Sequence, residues 1–140
     1  DSHLTPIPLD EQASSLSAIL LDDDYYNFIV SGKSFSEGIP LILQEYLIPL
    51  KAKAYLDLWQ IKNAGGVIQG KDLKKHKNDV FRLYQILSAD VRIPLPDSIA
   101  ADFRIFLDAM AENPPDLKNL GKGQTSVDAV LGNLEMVYGL

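Results

Sequence analysis

Residues 47–87 read LIPLKAKAYLDLWQIKNAGGVIQGKDLKKHKNDVFRLYQIL, and they carry the clearest structural pattern in the chain. Two runs with helical periodicity flank the glycine-bearing segment NAGGVIQG. Successive residues of a helix lie about 100° apart. The first run therefore collects on one apolar arc Leu47, Leu50, Ala54, Leu58 and Ile61. The second run collects on its own arc Leu73, His76, Val80, Leu83, Tyr84 and Leu87. The pattern predicts two amphipathic helices joined by a turn.

Charged side chains border both arcs of this stretch. Lys51 falls at the edge of the first arc, whereas Lys53 points away into solvent. Lys75, Asp79 and Arg82 form a charged stripe beside the second arc. A lysine held against the edge of the core, facing a Lys–Asp stripe on a neighbouring helix, is the most site-like feature of the sequence.

Length and composition limit the possible functions. The 140 residues predict one domain with a real core, and the net charge of −6 argues against general DNA binding, which needs a basic surface. One local basic site remains compatible with that charge, and its candidates are Lys71, Lys74, Lys75 and Lys77. The absence of cysteine excludes disulfides and zinc–thiolate sites and fits a cytoplasmic location. No apolar run approaches the roughly 20 residues that span a bilayer.

The first third of the chain predicts a strand-containing lead-in over residues 1–43. The run LSAILL at residues 16–21 is consistent with a buried strand, and its length alone does not exclude a helix. Asp22–Asp24 offer caps for a short helix that Gly32 ends. Residues 34–38 read as a turn, and residues 39–43 as a second strand with Pro40 at an edge or near its start. We expect these strands to form a parallel or mixed pair.

Residues 44–140 predict a helical bundle. The helix that begins near residues 44–46 tolerates Pro49 only in its opening turn. The next helix runs from about residue 71 to 88, and a third is capped by Asp97 or Ser98. Thr125 or Ser126 caps the last helix, after a loop over residues 113–126. The fold class is therefore α+β and mostly α, with two or so short N-terminal strands followed by four to five helices.

Three further features admit both a catalytic and a structural interpretation. The Asp-x-Asp spacing of Asp22 and Asp24 could hold Mg²⁺, but helix capping explains it more simply. Lys33 in SGKS lacks the earlier glycine of a phosphate-binding loop, so turn chemistry accounts for it. His76 lies on an apolar arc, where a packed histidine is the expected state and a general base the alternative.

The pair Lys75 and Asp79 is spaced i, i+4, in the weaker orientation for an ion pair within one helix. One interpretation is a solvated helix face. The other is that Lys75 and Lys51 present positive charge to a phosphate-bearing ligand while Asp79 orients one of them. The spacing does not decide between them.

The same residues resemble a known family. LIPLKAKA followed by KHKNDVFRL is similar to the C-terminal segment of the AbiEii/AbiGii toxin-type nucleotidyltransferases, in the polymerase-β-like superfamily. Their motif is Leu-x-x-Leu-Lys-x-x-Ala on one helix, matched from Leu47 to Ala54, and Lys-Asp-x-x-Asp-Leu on the next. Lys75 and Asp79 match the second part, and His76 stands where the family usually has Asp. The resemblance covers residues 39–87.

This resemblance implies transfer of a nucleotidyl group from a nucleoside triphosphate (NTP), assisted by Mg²⁺, to an RNA or protein acceptor, often beside an antitoxin partner. It assigns Lys75 and Asp79 to catalysis and Lys51 to phosphate binding. The family's metal-binding Gly-Ser turn with alternating aspartates has no counterpart here. We therefore expect the chain to be the C-terminal part of a longer protein, inactive alone and without its own metal. The alternatives are a non-catalytic helical interaction module and a small enzyme built around the aspartate triplet.

Overall fold

The structure is a computed structural model that describes residues 16–116 and 126–140. Its elements in chain order are α1 (Asp23–Ser31), β1 (Lys33–Ser36), β2 (Ile39–Ile42), α2 (Gln44–Asn63), α3 (Gly70–Tyr84), α4 (Asp97–Glu112) and α5 (Val127–Tyr138). The expected lead-in before residue 16, residues 117–125 of the loop expected over residues 113–126, and the expected Thr125 cap lie outside the described residues. The predicted class, a mostly helical α+β fold with a short N-terminal strand pair, is confirmed.

Of the two interpretations of residues 16–21 the strand is wrong and the helix is found, because residues 16–19 are helical and a turn follows. Leu16 and Ile19 are both buried, while the two residues between them are exposed. Two buried positions three apart are the spacing of a helix, not of a strand. A six-residue apolar run does not carry enough turns to separate the two periods.

The strand pair is an antiparallel hairpin, so the expected parallel or mixed pairing is wrong. β1 occupies part of the segment that was predicted to be a turn, and Ser36 pairs with Ile39. The two linking residues, Glu37 and Gly38, have φ of 54° and 79°, as the central positions of a tight hairpin turn require. A two-residue link can join only antiparallel strands, since a parallel pair needs a much longer crossover.

The helical bundle surrounds α2, which packs against α3 and α4. One core cluster joins α2 to α3, α4 and α5 around Ile48, Val80, Phe106 and Leu134. A second cluster joins the opposite side of α2 to α1 and the residues before it, around Leu50, Ala54 and Phe28. α2 is therefore covered on both sides, which fixes the direction in which its charged side chains point.

Helix ends follow the sequence in most places. Asp22 caps α1 by accepting hydrogen bonds from the backbone N–H groups of Asp24 and Tyr25, and Ser126 caps α5. The predicted cap of α4 is wrong: Pro96 precedes the helix and no side chain caps it. The Ser98 hydroxyl instead donates to the Asp24 carboxylate, and so ties α4 to α1.

Pro49 lies deeper in its helix than predicted, as the sixth residue of α2. A proline there has no N–H to donate to the carbonyl four residues earlier, which belongs to Glu45. The Tyr138 hydroxyl of α5 donates to that carbonyl. A contact from the far end of the described chain thus satisfies the group that the proline leaves unpaired.

Candidate functional site

The helical hairpin of α2 and α3 places Lys51 opposite Asp79. The Lys51 Nζ and the Asp79 Oδ2 are 3.0 Å apart, and the two side chains are only 11% and 18% exposed. The Lys51 aliphatic stem lies against the core, as its position at the edge of the apolar arc predicts. The structure therefore brings together two of the three residues that the sequence analysis selected.

This ion pair lies in an open groove of about 340 Å³ between the two helices. The groove is lined by Leu47, Lys51, Asp79, Arg82, Leu83 and Ile86. Its apolar walls come from both helices and from the turn after α3, and its polar floor is the Lys51–Asp79 pair. We call this feature the α2–α3 groove.

Arg82 supplies the second positive charge of the α2–α3 groove. Its Nη1 lies 3.4 Å from the Asp79 Oδ1, while the Oδ2 of the same carboxylate contacts Lys51. Two cations thus share one carboxylate, and the groove keeps a net positive charge. The charged stripe predicted from the sequence includes Arg82, but this pattern did not identify it as a site residue. Its i, i+3 spacing from Asp79 was the signal that could have done so.

Lys75 is exposed and does not line the α2–α3 groove. Within residues 16–116 and 126–140 it forms no ion pair, and the i, i+4 pair with Asp79 is not made. Asp79 pairs across the helix interface with Lys51 instead. Lys75 stands one turn before Asp79 on α3, so it borders the groove along the helix without entering it.

His76 is completely buried between the helices. Neither ring nitrogen has a hydrogen-bond partner among the described residues. Burial lowers the pKa of His76 to about 4, and the positive charge of Lys51 acts in the same direction. The ring is therefore neutral at pH 7, which agrees with the packed histidine and gives no support to a general base.

Lys53 was predicted to point into solvent, but in the structure it forms ion pairs. Its Nζ lies 3.1 Å from Asp57 on the same helix and 3.8 Å from Asp102 on α4. Asp102 also accepts a 2.7 Å hydrogen bond from the buried Tyr25 of α1. These residues bind three helices together. The prediction was wrong because α4 covers that side of α2, which the periodicity of α2 alone cannot reveal.

The remaining candidates are structural. The Asp22 carboxylate caps α1, and Asp24 accepts from Ser98, so both are engaged in holding helices. Lys33 begins a strand, with its ammonium 6.0 Å from the Phe35 ring centroid, and no helix follows it as in a phosphate-binding loop. In the part of the chain that the structure describes, no three acidic or histidine side chains group closely enough to hold a metal ion. The Mg²⁺ implied by the resemblance therefore does not fit these residues.

The helices of the described ranges include none long and apolar enough to cross a membrane. Comparison with protein-family models, with curated proteins and with solved structures gives no match to this chain. The geometry of the α2–α3 groove and the residues that line it are therefore the basis for any functional assignment.

Proposed function

We propose that this chain is the C-terminal helical portion of a nucleotidyltransferase of the AbiEii/AbiGii type, and that the α2–α3 groove is one wall of its NTP site. One observation carries the proposal. Lys51 and Asp79 occupy matching positions of two motifs on separate helices, and they meet at 3.0 Å in one open groove. If both motifs contribute to one binding site, their residues have to meet across the helix interface, as Lys51 and Asp79 do.

Each residue has a distinct role in this proposal. The Lys51 ammonium contacts a phosphate oxygen, and Asp79 holds that ammonium in place from the opposite helix. Arg82 adds a second cation on the same carboxylate. Lys75, one turn away on α3 and outside the groove, is assigned to catalysis by the resemblance alone. Preorganised charges of this kind stabilise a phosphoryl transition state without moving during the reaction.

The residues described here do not supply the metal site of such an enzyme. In such an enzyme a bound Mg²⁺ would neutralise charge on the triphosphate. The carboxylates for it would have to come from another part of a longer protein, so no step of the reaction is assigned to this chain alone. An RNA or protein hydroxyl as acceptor, an antitoxin as partner and a cytoplasmic location belong to the same proposal.

Calorimetric titration of the chain with each of the four NTPs tests the proposal. We expect Lys51→Met to lower the affinity by about tenfold or more, since it removes a charged hydrogen-bond donor from the phosphates. Lys53→Met is the matched control, because Lys53 lies two residues away on the same helix but pairs outside the groove. Equal affinity in Lys51→Met and wild type, or equal loss in both variants, would contradict the proposal.

Transfer itself is measured with a longer protein that contains this chain and an NTP labelled at its α-phosphate. Lys75→Ala and Asp79→Asn should each abolish labelling of the acceptor. Circular dichroism of both variants controls for folding, since Asp79 also has a structural role. Undiminished transfer in both folded variants would remove these residues from the site.

A helical interaction module is the second candidate function. It is favoured by the apolar half of the groove lining, Leu47, Leu83 and Ile86, and by the position of Lys75 outside the groove. A module of this kind binds a partner through apolar contacts and has no need of the Lys51 charge. Failure of the wild-type chain to bind any NTP would leave this candidate in place of the first.

A further inference from the structure

A second charged cleft lies at the end of the α2–α3 hairpin where the chain turns, and it shares no lining residue with the α2–α3 groove. Its volume is about 350 Å³ and it is open to solvent. Lys62 reaches it from the last turn of α2, and Lys74 and Lys77 reach it from α3. We call it the lysine cleft.

None of these three lysines forms an ion pair within residues 16–116 and 126–140. Lys77 is only partly exposed. Burial lowers the pKa of Lys77, and the neighbouring charge of Lys74 lowers it further. Both effects disfavour the ammonium form of Lys77, and an anion between these lysines would offset them. This concentration of positive charge occurs in a chain whose net charge is −6.

The first turn of α3 opens into the same cleft at Gly70. Gln69 precedes the helix and its side chain makes no capping hydrogen bond. The Asp72 N–H already donates to the Gln69 carbonyl, whereas the N–H groups of Gly70 and Lys71 make no backbone hydrogen bond within the described residues and carry a partial positive charge. A side chain at Gly70 would meet no atom within 4 Å, so the approach to these groups is open. They add donors to the charge that the lysines supply.

The chemistry of the lining indicates which anion fits. Asp116 also lines the cleft, so three lysines against one aspartate leave a formal charge of two positive. A single carboxylate would not match that charge, whereas two or more phosphates would. Lysine binds phosphate as a point charge, without the planar geometry that arginine imposes on its ligand. Tyr55, the aromatic residue of the lining, is only 4% exposed and offers no surface on which a base could stack.

We propose that the lysine cleft binds consecutive phosphate groups of an oligophosphate ligand, held by Lys62, Lys74, Lys77 and the first turn of α3. The phosphates come either from an RNA backbone or from a free polyphosphate. The inference does not depend on nucleotide binding in the α2–α3 groove, because the two sites use different side chains.

Calorimetric titration with inorganic tripolyphosphate at low ionic strength tests this proposal. We expect the wild-type chain to bind it and the double variant Lys74→Gln/Lys77→Gln to lose about tenfold or more in affinity. The matched control is Lys33→Gln/Arg104→Gln, which removes two exposed positive charges outside the cleft. It should stay within about twofold of wild type, because screened distant charges contribute little. No binding by wild type, or an equal loss in both double variants, would overturn the proposal.

Asp116→Asn should change the affinity for tripolyphosphate in the opposite direction. It removes the negative charge from the cleft lining, so we expect tighter tripolyphosphate binding by several-fold. Damage to the fold would weaken binding instead. Unchanged or weaker binding in a variant with the wild-type circular dichroism spectrum would contradict the assignment of the cleft.

The source of the phosphates is decided by competition with a short single-stranded oligouridylate RNA. If the RNA binds, loses affinity in Lys74→Gln/Lys77→Gln and is displaced by tripolyphosphate, the site takes an RNA backbone. If tripolyphosphate binds with the same lysine dependence and the RNA does not, the site takes a free polyphosphate. Either result supports the proposal. RNA binding that is insensitive to both lysines and to tripolyphosphate would count against it.

Discussion

His76 shows at the level of one residue how the helix interface controls ionisation. The side chain is fully buried, and both ring nitrogens lack a hydrogen-bond partner within the described residues. Lys51 faces it from α2 and lowers its pKa, and Lys75 on its own helix does so too, whereas Asp72 and Asp79 on that helix act in the opposite direction. Burial outweighs the carboxylates, so the ring stays neutral until the solution is distinctly acidic.

Stability should therefore fall as the pH is lowered from 6.5 towards 4. The pKa of His76 is about 4 in the folded chain and about 6.5 when unfolded, so the unfolded state binds more protons in this window. The contribution of neutral His76 to the free energy of unfolding is complete above pH 6.5, and about 3 kcal/mol of it is lost by pH 4. Urea unfolding at both pH values should show this loss in wild type but not in His76→Leu. The same pH dependence in both proteins would refute it.

The Lys51–Asp79 pair should be strongly coupled, because both side chains are largely withdrawn from water. Asp79→Asn leaves a partly buried ammonium without its counter-charge, and we expect a loss of about 3 kcal/mol in the free energy of unfolding. The double variant Lys51→Met/Asp79→Asn should lose less than the sum of its single variants Lys51→Met and Asp79→Asn. Urea denaturation of the four proteins measures this as a double-mutant cycle. Additive losses would show that the contact is not energetically coupled.

At the level of the elements, two glycines have opposite packing environments. Gly32 follows α1 and is buried; a Cβ there would overlap the Tyr46 ring and lie 2.6 Å from the Tyr46 Cβ. Gly132 lies inside α5, and a Cβ there would meet nothing within 4 Å. The hairpin and α1 can approach α2 closely only because residue 32 has no side chain.

Alanine at these two positions should change stability in opposite directions. Gly32→Ala forces a backbone or side-chain shift against Tyr46, and should cost about 2 kcal/mol. Gly132→Ala lowers the entropy of the unfolded helix segment at no steric cost, and should add about 0.5–1 kcal/mol. Thermal unfolding of both variants measures the effects. A stable Gly32→Ala protein would mean that Tyr46 moves freely at this contact.

For the whole molecule, α2 acts as the shared wall of two core clusters. Its one internal irregularity, Pro49, is compensated from α5 by the hydrogen bond of the Tyr138 hydroxyl to the Glu45 carbonyl. Burial raises the pKa of the Tyr138 phenol, so the hydroxyl keeps its proton and remains a donor. The C-terminal helix is therefore tied to the centre of the fold by more than apolar packing.

The contribution of the Tyr138–Glu45 hydrogen bond to stability should depend on Pro49. Tyr138→Phe leaves the Glu45 carbonyl without a donor, and we expect a loss of about 1–2 kcal/mol. In a Pro49→Ala background the backbone N–H of residue 49 can donate to that carbonyl, so the same substitution should cost clearly less. The comparison uses urea unfolding of the two single variants and the double variant. An equal cost in both backgrounds would show that the proline does not create the need for the bond.

The helical hairpin, the α+β class and most helix bounds could be predicted from the amino-acid pattern alone. Apolar spacing and the glycine-bearing turn reflect local physics, which acts within a few residues of chain. The prediction was wrong where an apolar run is too short to show a full period, as at residues 16–19, where a strand was predicted and a helix is found.

Which charged residues meet depends on how the helices pack, and could not be predicted from the sequence. Spacing predicts the face on which Lys51, Lys53 and Asp79 lie, but not what covers that face. Asp79 pairs with Lys51 rather than Lys75, and Lys53 pairs with Asp102 of α4. Lys62 joins Lys74 and Lys77 because the hairpin brings the end of α2 beside the start of α3. A pair across a helix interface depends on packing between distant segments, and no local pattern in either segment records it.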